Sequence, residues 1–412
     1  MILFLLLVSV MPLTRHPLWS AYVGELTVIK YLGVASLICA VFYLGQRHSA
    51  PQFFETPQSR WFAALMLASS AAFLALGESR TLGESPLLSY VSFLGLFFLT
   101  LVLVDSEERL RLVLLAAAAS IAIASLYVLR GWQKMGFSGR PGWVTGDPNY
   151  YAISVLVILP LLYHLYRGSQ HRFERLFCLA CLGLTALAMT AAASRGGFLG
   201  FAAAVSFMIF RSRGRRTRML WAAGMVLTLA LISPVSPLER FLSPQRSEAQ
   251  AELSRLALWT AGLQAAWDHP IIGLGPGNFA TGVEMHAEEL FHIYTTAHNT
   301  YIHILAEQGT IGLVLFLGVL IATFLSLGGV LRRTEPMRPS LIHEVAAGMQ
   351  AALVGYAVSA AFLTASRQKF FWLLICLSMC LPPLERRAAK KRAAAVEVDR
   401  GKPCGVRSPL WP

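Results

Sequence analysis

The stretch AHNTYIHILAEQGTIGLVLFLGVLIATFLSLGGVL (Ala297–Leu331) decides the fold class, because a polar head runs straight into an apolar body. Ile311–Leu331 carries no charge and is long enough to cross about 30 Å of hydrocarbon unaided. His298–Gln308 therefore projects above the hydrocarbon as a helical extension. Outward from it, the chain divides into further apolar runs: Met1–Leu13, Tyr22–Leu44, Trp61–Leu76, Pro86–Val104, Leu110–Leu129, Tyr150–Tyr166, Leu176–Ala193, Ser194–Phe210, Met219–Ser233, Leu341–Thr364 and Phe370–Leu384. With Thr300–Leu331 they make about twelve segments, each near the roughly 20 residues a crossing needs or somewhat short of it. The runs are continuous rather than alternating, which favours helices over a β-barrel. The expected architecture is an all-α polytopic membrane protein of about twelve transmembrane helices with one long loop containing amphipathic helices.

Composition agrees. The chain has 412 residues, 56% of them hydrophobic and only 14% charged, and a mean hydropathy of +0.57; a soluble domain carries more charge. The net charge of +13 does not point to nucleic acid, because it is confined to short connections. Arg167, Arg172 and Arg175 fill one; Arg211, Arg213, Arg215, Arg216 and Arg218 a second; Arg332, Arg333 and Arg338 a third. Arg386, Arg387, Lys390, Lys391 and Arg392 follow the last run. These lie on alternate loops, the positive-inside pattern, which puts both termini on the cytoplasmic side. The basic runs then read as topology signals and lipid-headgroup contacts. The expected division is 1–233 (helices one to nine), a 234–297 loop on the periplasmic side, 298–384 (the last three helices) and a basic tail, 385–412. Met1–Leu13 has neither the basic flank nor the cleavage site of a signal peptide, and is short for a span. Cys178, Cys181, Cys376 and Cys380 fall inside apolar runs and read as small buried residues rather than a zinc or redox site.

Two outward connections carry polar motifs. The first ends in GDPNYYA (Gly146–Ala152), where Asp147 is placed to cap a helix and Asp147 or Asn149 could also hold a sugar hydroxyl. The second is the long loop. In Ala249–Trp267, Leu253, Leu256, Trp259, Leu263 and Trp267 share one helical face, as in a helix lying in the membrane interface, with Arg255 at its edge. HPIIGLGPGNF (His269–Phe279) then makes a tight bend, whose N–H groups around Gly275 are either an ordinary turn or an anion cradle.

Arg195 stands in SRGGFLGF (Ser194–Phe201) at the outer edge of the apolar zone. Position alone leaves snorkelling and anion binding equally good explanations. Gly196 and Gly197 would let something large approach the backbone. His298 opens the polar head, and Asn299, His303 and Glu307 fall four apart along one face of it. A histidine beside a membrane is commonly an interfacial hydrogen-bonding group, but a neutral imidazole is also the side chain best suited to take a proton near pH 7. His286, His292, His298 and His303 have no zinc-type spacing, so no metal site is expected. Two arginines and a histidine on one outer surface suit transfer from a lipid-linked diphosphate. The guanidinium forks hold the diphosphate oxygens, and the imidazole deprotonates an incoming hydroxyl. Arg367 and Lys369, on the last outward turn, could assist with a headgroup.

At these residues the chain resembles the O-antigen ligase and O-antigen polymerase superfamily of bacterial membrane glycosyltransferases. Four strings carry the resemblance in order: GDPNYYA, SRGGFLGF, SRLALWTAGLQAAWDHPIIGLGPGNF (Ser254–Phe279) and AHNTYIHILAEQGTIG (Ala297–Gly312). The resemblance implies a C-type glycosyltransferase fold that acts on an undecaprenyl-diphosphate-linked glycan and inverts the anomeric carbon, with no metal ion or cofactor. It also implies that Arg195 and Arg255 contact the donor diphosphate and that His298 serves the acceptor hydroxyl. Lipid A–core is the leading acceptor, as in lipopolysaccharide biosynthesis. Polymerisation of lipid-linked repeats and O-glycosylation of protein share the chemistry. A polysaccharide transporter or flippase is disfavoured, because the span interiors are nearly free of charge apart from Lys30.

Overall fold

The computed structural model describes residues 1–13, 21–23, 26–47, 51–77, 85–136, 141–142, 147–212, 214, 219, 246–286, 296–337 and 340–400. Structural statements below concern those residues. They form α1 (Ile2–Val10), β1 (Tyr22–Val23), β2 (Leu26–Thr27), α2 (Val28–Gly45), α3 (Pro57–Leu76), α4 (Pro86–Leu103) and α5 (Glu107–Lys134). α6 (Pro148–Gly168), α7 (Arg172–Ala192), α8 (Arg195–Arg211), α9 (Arg246–Asp268), α10 (Phe279–His286), α11 (Thr300–Thr334), α12 (Leu341–Ala360) and α13 (Lys369–Arg400) follow. Eight of these helices, α2 to α7, α11 and α12, are long and apolar enough to cross a membrane. The protein is an all-helical, polytopic membrane protein.

Local sequence explains where the helices begin. Proline occupies the first turn of α3, α4 and α6, where its missing N–H costs nothing. Ser85, Ser106, Asp147, Ser194, Asn299 and Ser340 each accept a backbone N–H as the N-cap of the helix that follows, worth about 1 kcal/mol apiece.

Small residues set the packing, because lipid supplies no hydrophobic drive between helices. A side chain on Gly200 of α8 would meet Gly355 O of α12 at 2.5 Å, so these helices cross backbone to backbone. Gly318 of α11 likewise lies flat under Trp61 of α3. α13 is buried on all sides from Phe370 to Leu381, and Trp372 packs against Phe62, Phe93, Phe316 and Phe371.

Several sequence expectations change. Met1–Leu13 gives only the nine-residue α1 and one 3-10 turn, about 14 Å of helix and too short to cross. Tyr22–Thr27 is an antiparallel pairing, so the second apolar run becomes helical only at Val28. Lys30 sits in the first turn of α2, not at mid-span. Met219–Ser233 and the start of the long loop lie outside the described residues. The basic connections, read as topology signals, also form ion pairs. Arg47 and Arg109 pair with Asp105, Arg111 with Glu174, Arg333 with Glu385, and Arg386 with Glu55. Glu344 of α12, 1% exposed, meets His164 Nδ1 at 2.7 Å and Arg167 at 3.4 Å. The reading of charge-free span interiors missed this pair. These contacts gather at one end of the bundle; the polar motifs gather at the other.

Candidate active site

Arg195 is held by a close joint between three elements. α7 ends in Ala193, whose φ of 46° is left-handed, a conformation costly for a residue with a Cβ. The chain then reverses, and Ser194 Oγ accepts Gly197 N at 3.2 Å while donating to Asn149 Oδ1 at 2.7 Å. Asp147 caps α6 through Asn149 N at 2.8 Å. The GDPNYYA and SRGGFLGF motifs are therefore physically one structure. Gly196 and Gly197 serve this joint rather than leaving room for a ligand. A Cβ on Gly197 would meet Ala152 at 2.5 Å, and one on Gly196 would meet Phe362 at 2.9 Å. Arg195 emerges half-buried as the first residue of α8.

His298 reaches the same place from the other side of the long loop. It is half-buried and has a left-handed φ of 49°. Among the described residues, only it and Ala193 adopt positive φ without being glycine. Strained backbone of this kind persists where neighbours over-determine it, and here they do. Asn299 Oδ1 accepts the N–H groups of Tyr301 and Ile302. Thr300 Oγ1 donates to Leu363 O at 2.6 Å and accepts Ala365 N at 3.0 Å. Trp259 Nε1 of α9 donates to Ala297 O at 2.9 Å. Leu363 also lies 3.3 Å from a Cβ on Gly196, so one turn supports both Arg195 and His298. Thr300 was not singled out in the sequence; a hydroxyl just past a cap position in a dense polar motif was the available signal.

The charges of this end meet at His298. Burial lowers the imidazole pKa from its ordinary value, the Arg255 cation lowers it further, Asp147 raises it, and His303 lowers it. Arg255 of α9 and Asp147 of α6 thus act on one imidazole from two elements. Arg255 is half-buried on α9. Leu253, Leu256, Leu263 and Trp267 are exposed as expected, whereas Trp259, expected on the same face, is half-buried and bonds inward to Ala297 O. The other face of α9, with Leu258, Ala261 and Ala265, is buried against the body.

Asn299, His303 and Glu307 do share a face, but that face points inward. All are buried, and His303 Nε2 lies 3.4 Å from Glu307 Oε1. The expected polar surface beside the lipid is instead an internal polar seam. The cause is a break in α11 at Gly309, whose φ of 63° and ψ of −165° are non-helical. The His269–Phe279 bend fills the break. Leu274 N donates to Ala306 O and Gly275 N to Glu307 O, each at 2.9 Å; Thr310 N donates to Pro270 O at 2.8 Å. Phe279 N donates to Glu307 Oε1 at 3.3 Å, and Asn278 Nδ2 reaches Leu76 O of α3 at 2.8 Å. Gly275, a candidate anion donor, has its N–H engaged inside the protein, and its positive φ fits the close approach to Leu76. The bend is a lock on the helix carrying His298. Arg367 is exposed on the α12–α13 turn, and its charge acts on His303. Among the described residues no three His, Cys, Asp or Glu side chains gather as a metal site requires.

The protein is thus a polytopic helical membrane bundle with Asp147, Arg195, Arg255 and His298 at one end. Residues 180–317 match the family model described as O-antigen ligase. The match spans Arg195, Arg255 and His298 and supports the O-antigen ligase and polymerase superfamily. At that coarse level it supports an enzyme of the ligase or polymerase type. No curated protein matches the chain.

Proposed function

We propose that the protein is a glycosyltransferase that moves a glycan from an undecaprenyl-diphosphate carrier to an acceptor hydroxyl, lipid A–core being the leading acceptor. Arg195 and Arg255 hold the diphosphate and offset charge on the departing phosphate. His298 takes the proton of the hydroxyl as it attacks the anomeric carbon, so configuration inverts. Asp147 steadies the imidazolium formed, while Asn149, Asn299, His303, Glu307, Gly275 and Arg367 support the site. In this reading the site faces the periplasm, both termini are cytoplasmic, and 234–297 is the loop that carries the donor-binding helix. The observation that supports it best is the joint that brings Arg195 and His298 together, where Thr300 Oγ1 donates to Leu363 O and Leu363 lies against Gly196. Arg195, Arg255 and His298 are all inside the stretch that matches the O-antigen ligase family.

The test is glycan transfer by purified protein in detergent, with EDTA, lipid-diphosphate donor and lipid A–core. Product that requires lipid A–core is expected. Longer glycan formed from the donor alone would replace the ligase with a polymerase; no product from folded protein with either would defeat both.

The imidazole gives a second prediction. With its pKa depressed, His298 is neutral at pH 7, as a base must be. The unfolded chain protonates near the usual value of about 6.5 and the folded chain only lower. The stability this contributes is complete above about pH 6.5 and is lost as pH falls through the folded pKa. Arg255→Gln should move the His298 titration upward and Asp147→Asn should move it downward, read by NMR of the labelled imidazole in the substrate-free protein. Shifts in the same direction would show that these charges do not face His298.

A further inference from the structure

At the basic end of the bundle, remote from His298, a groove of about 750 Å³ runs between the start of α3 and the length of α11. Trp61, Leu317, Ile321 and Leu325 line it together with Arg333 and Arg386. Glu55, Thr56 and Arg386 form a wall shared with a second cavity of about 290 Å³. Arg47, Arg386, Arg387 and Lys390 line that cavity against two carboxylates, Glu55 and Asp105, so its charge is net positive. An apolar trough therefore adjoins a cationic chamber across that wall, and the larger volume is in the range of clefts that enclose whole small ligands, about 300–1,000 Å³.

The dividing wall carries a polar atom without a partner. Thr56 is 6% exposed, and its Oγ1 bonds nothing. By position it is the N-cap of α3, yet its side chain accepts no helix N–H. A buried hydroxyl without a bond is costly, and an uncapped helix start attracts anions. Arg386 pairs with Glu55, and Arg387 donates to Asp105 O at 2.8 Å, contacts that hold both arginines at the chamber.

We propose that this double cavity binds an anionic glycerophospholipid. The phosphate sits in the chamber against Thr56 Oγ1, the start of α3 and the Arg386 and Arg387 guanidinium groups. One acyl chain lies in the α3–α11 groove over the exposed side chains of Ile321 and Leu325. The lipid touches α3 at Thr56, and the locking bend touches the same helix at Leu76. Twenty residues of helix separate them, about 30 Å. The site is independent of the transfer reaction proposed above.

The probe is phosphatidylglycerol in nanodiscs of phosphatidylcholine, with lipid retained on the extracted protein counted by native mass spectrometry. Wild type is expected to retain phosphatidylglycerol over phosphatidylcholine about tenfold. Thr56→Val should lower that preference about threefold, and the charge-balanced pair Glu55→Gln with Arg386→Gln about tenfold, with unfolding temperatures preserved. Gly329→Leu, whose new side chain meets first the flexible Arg333 head at 3.2 Å, should block the groove and lower retention as well. Equal retention of the two lipids would overturn the proposal. So would a preference unaffected by every variant and erased by about 1 M salt, the mark of diffuse surface attraction. Displacement of phosphatidylglycerol by millimolar inorganic phosphate would make the chamber a free-anion site and overturn it too.

Discussion

Alanine at Arg195, Arg255 or His298 is expected to lower glycan transfer about 10²–10³-fold each, with the amount of protein in the membrane unchanged. The size follows from the roles proposed: each group meets charge that develops in the transition state. Removing a half-buried side chain at this end costs little packing, because the joints that hold it are made by Ser194, Asn149, Asn299 and Thr300. The Arg255→Ala/His298→Ala double variant should fall far less than the product of the two single losses, since groups that act as a unit are not additive. Initial rates with saturating and limiting donor check this. Near-normal turnover in all three single variants would remove the site from this end of the molecule.

The second large effect concerns the lock. Gly309→Ala is expected to destabilise the protein by about 3–5 kcal/mol and to abolish most transfer. Gly309 has the φ and ψ of a region open essentially to glycine. A Cβ there would lie 2.2 Å from Ile271 O and 2.3 Å from Ile271 C, backbone atoms with no room to yield. Relief requires expelling the bend, which breaks the pairing of Leu274 N, Gly275 N and Thr310 N across the gap in α11. His298 then loses the packing that fixes its strained backbone. Gly183→Ala is the control, because nothing lies within 4 Å of that position. Thermal unfolding in detergent separates the two; similar midpoints would mean that the bend docks without tension.

Much of this was legible in the chain. Continuous apolar runs force helices in a medium that offers backbone groups no other partner, and Ile311–Leu331 announced a span whose polar head had to lie outside the hydrocarbon. The caps at Ser194 and Asn299 came only with the structure, whereas the cap at Asp147 is short-range chemistry, readable within four residues. The outward apolar stripe of α9 is likewise a matter of periodicity. The matched family stretch, 180–317, covers three of the four strings that carried the resemblance.

What the sequence by itself determined is the solvent, the helical class and the identity of the groups available for chemistry, because these depend on local composition and spacing. What only the tertiary structure decided is which of those groups face one another. Asn299, His303 and Glu307 looked like an open polar face, yet the break at Gly309 and the docked bend turn them inward. Gly196 and Gly197 looked like room for a ligand, yet Phe362 and Ala152 occupy it. Glu344 lies in a run taken as apolar, and it is buried against His164 from a helix 180 residues away in sequence. Each outcome depends on contacts between segments far apart along the chain, and a buried polar group is tolerable only where such a distant partner meets it.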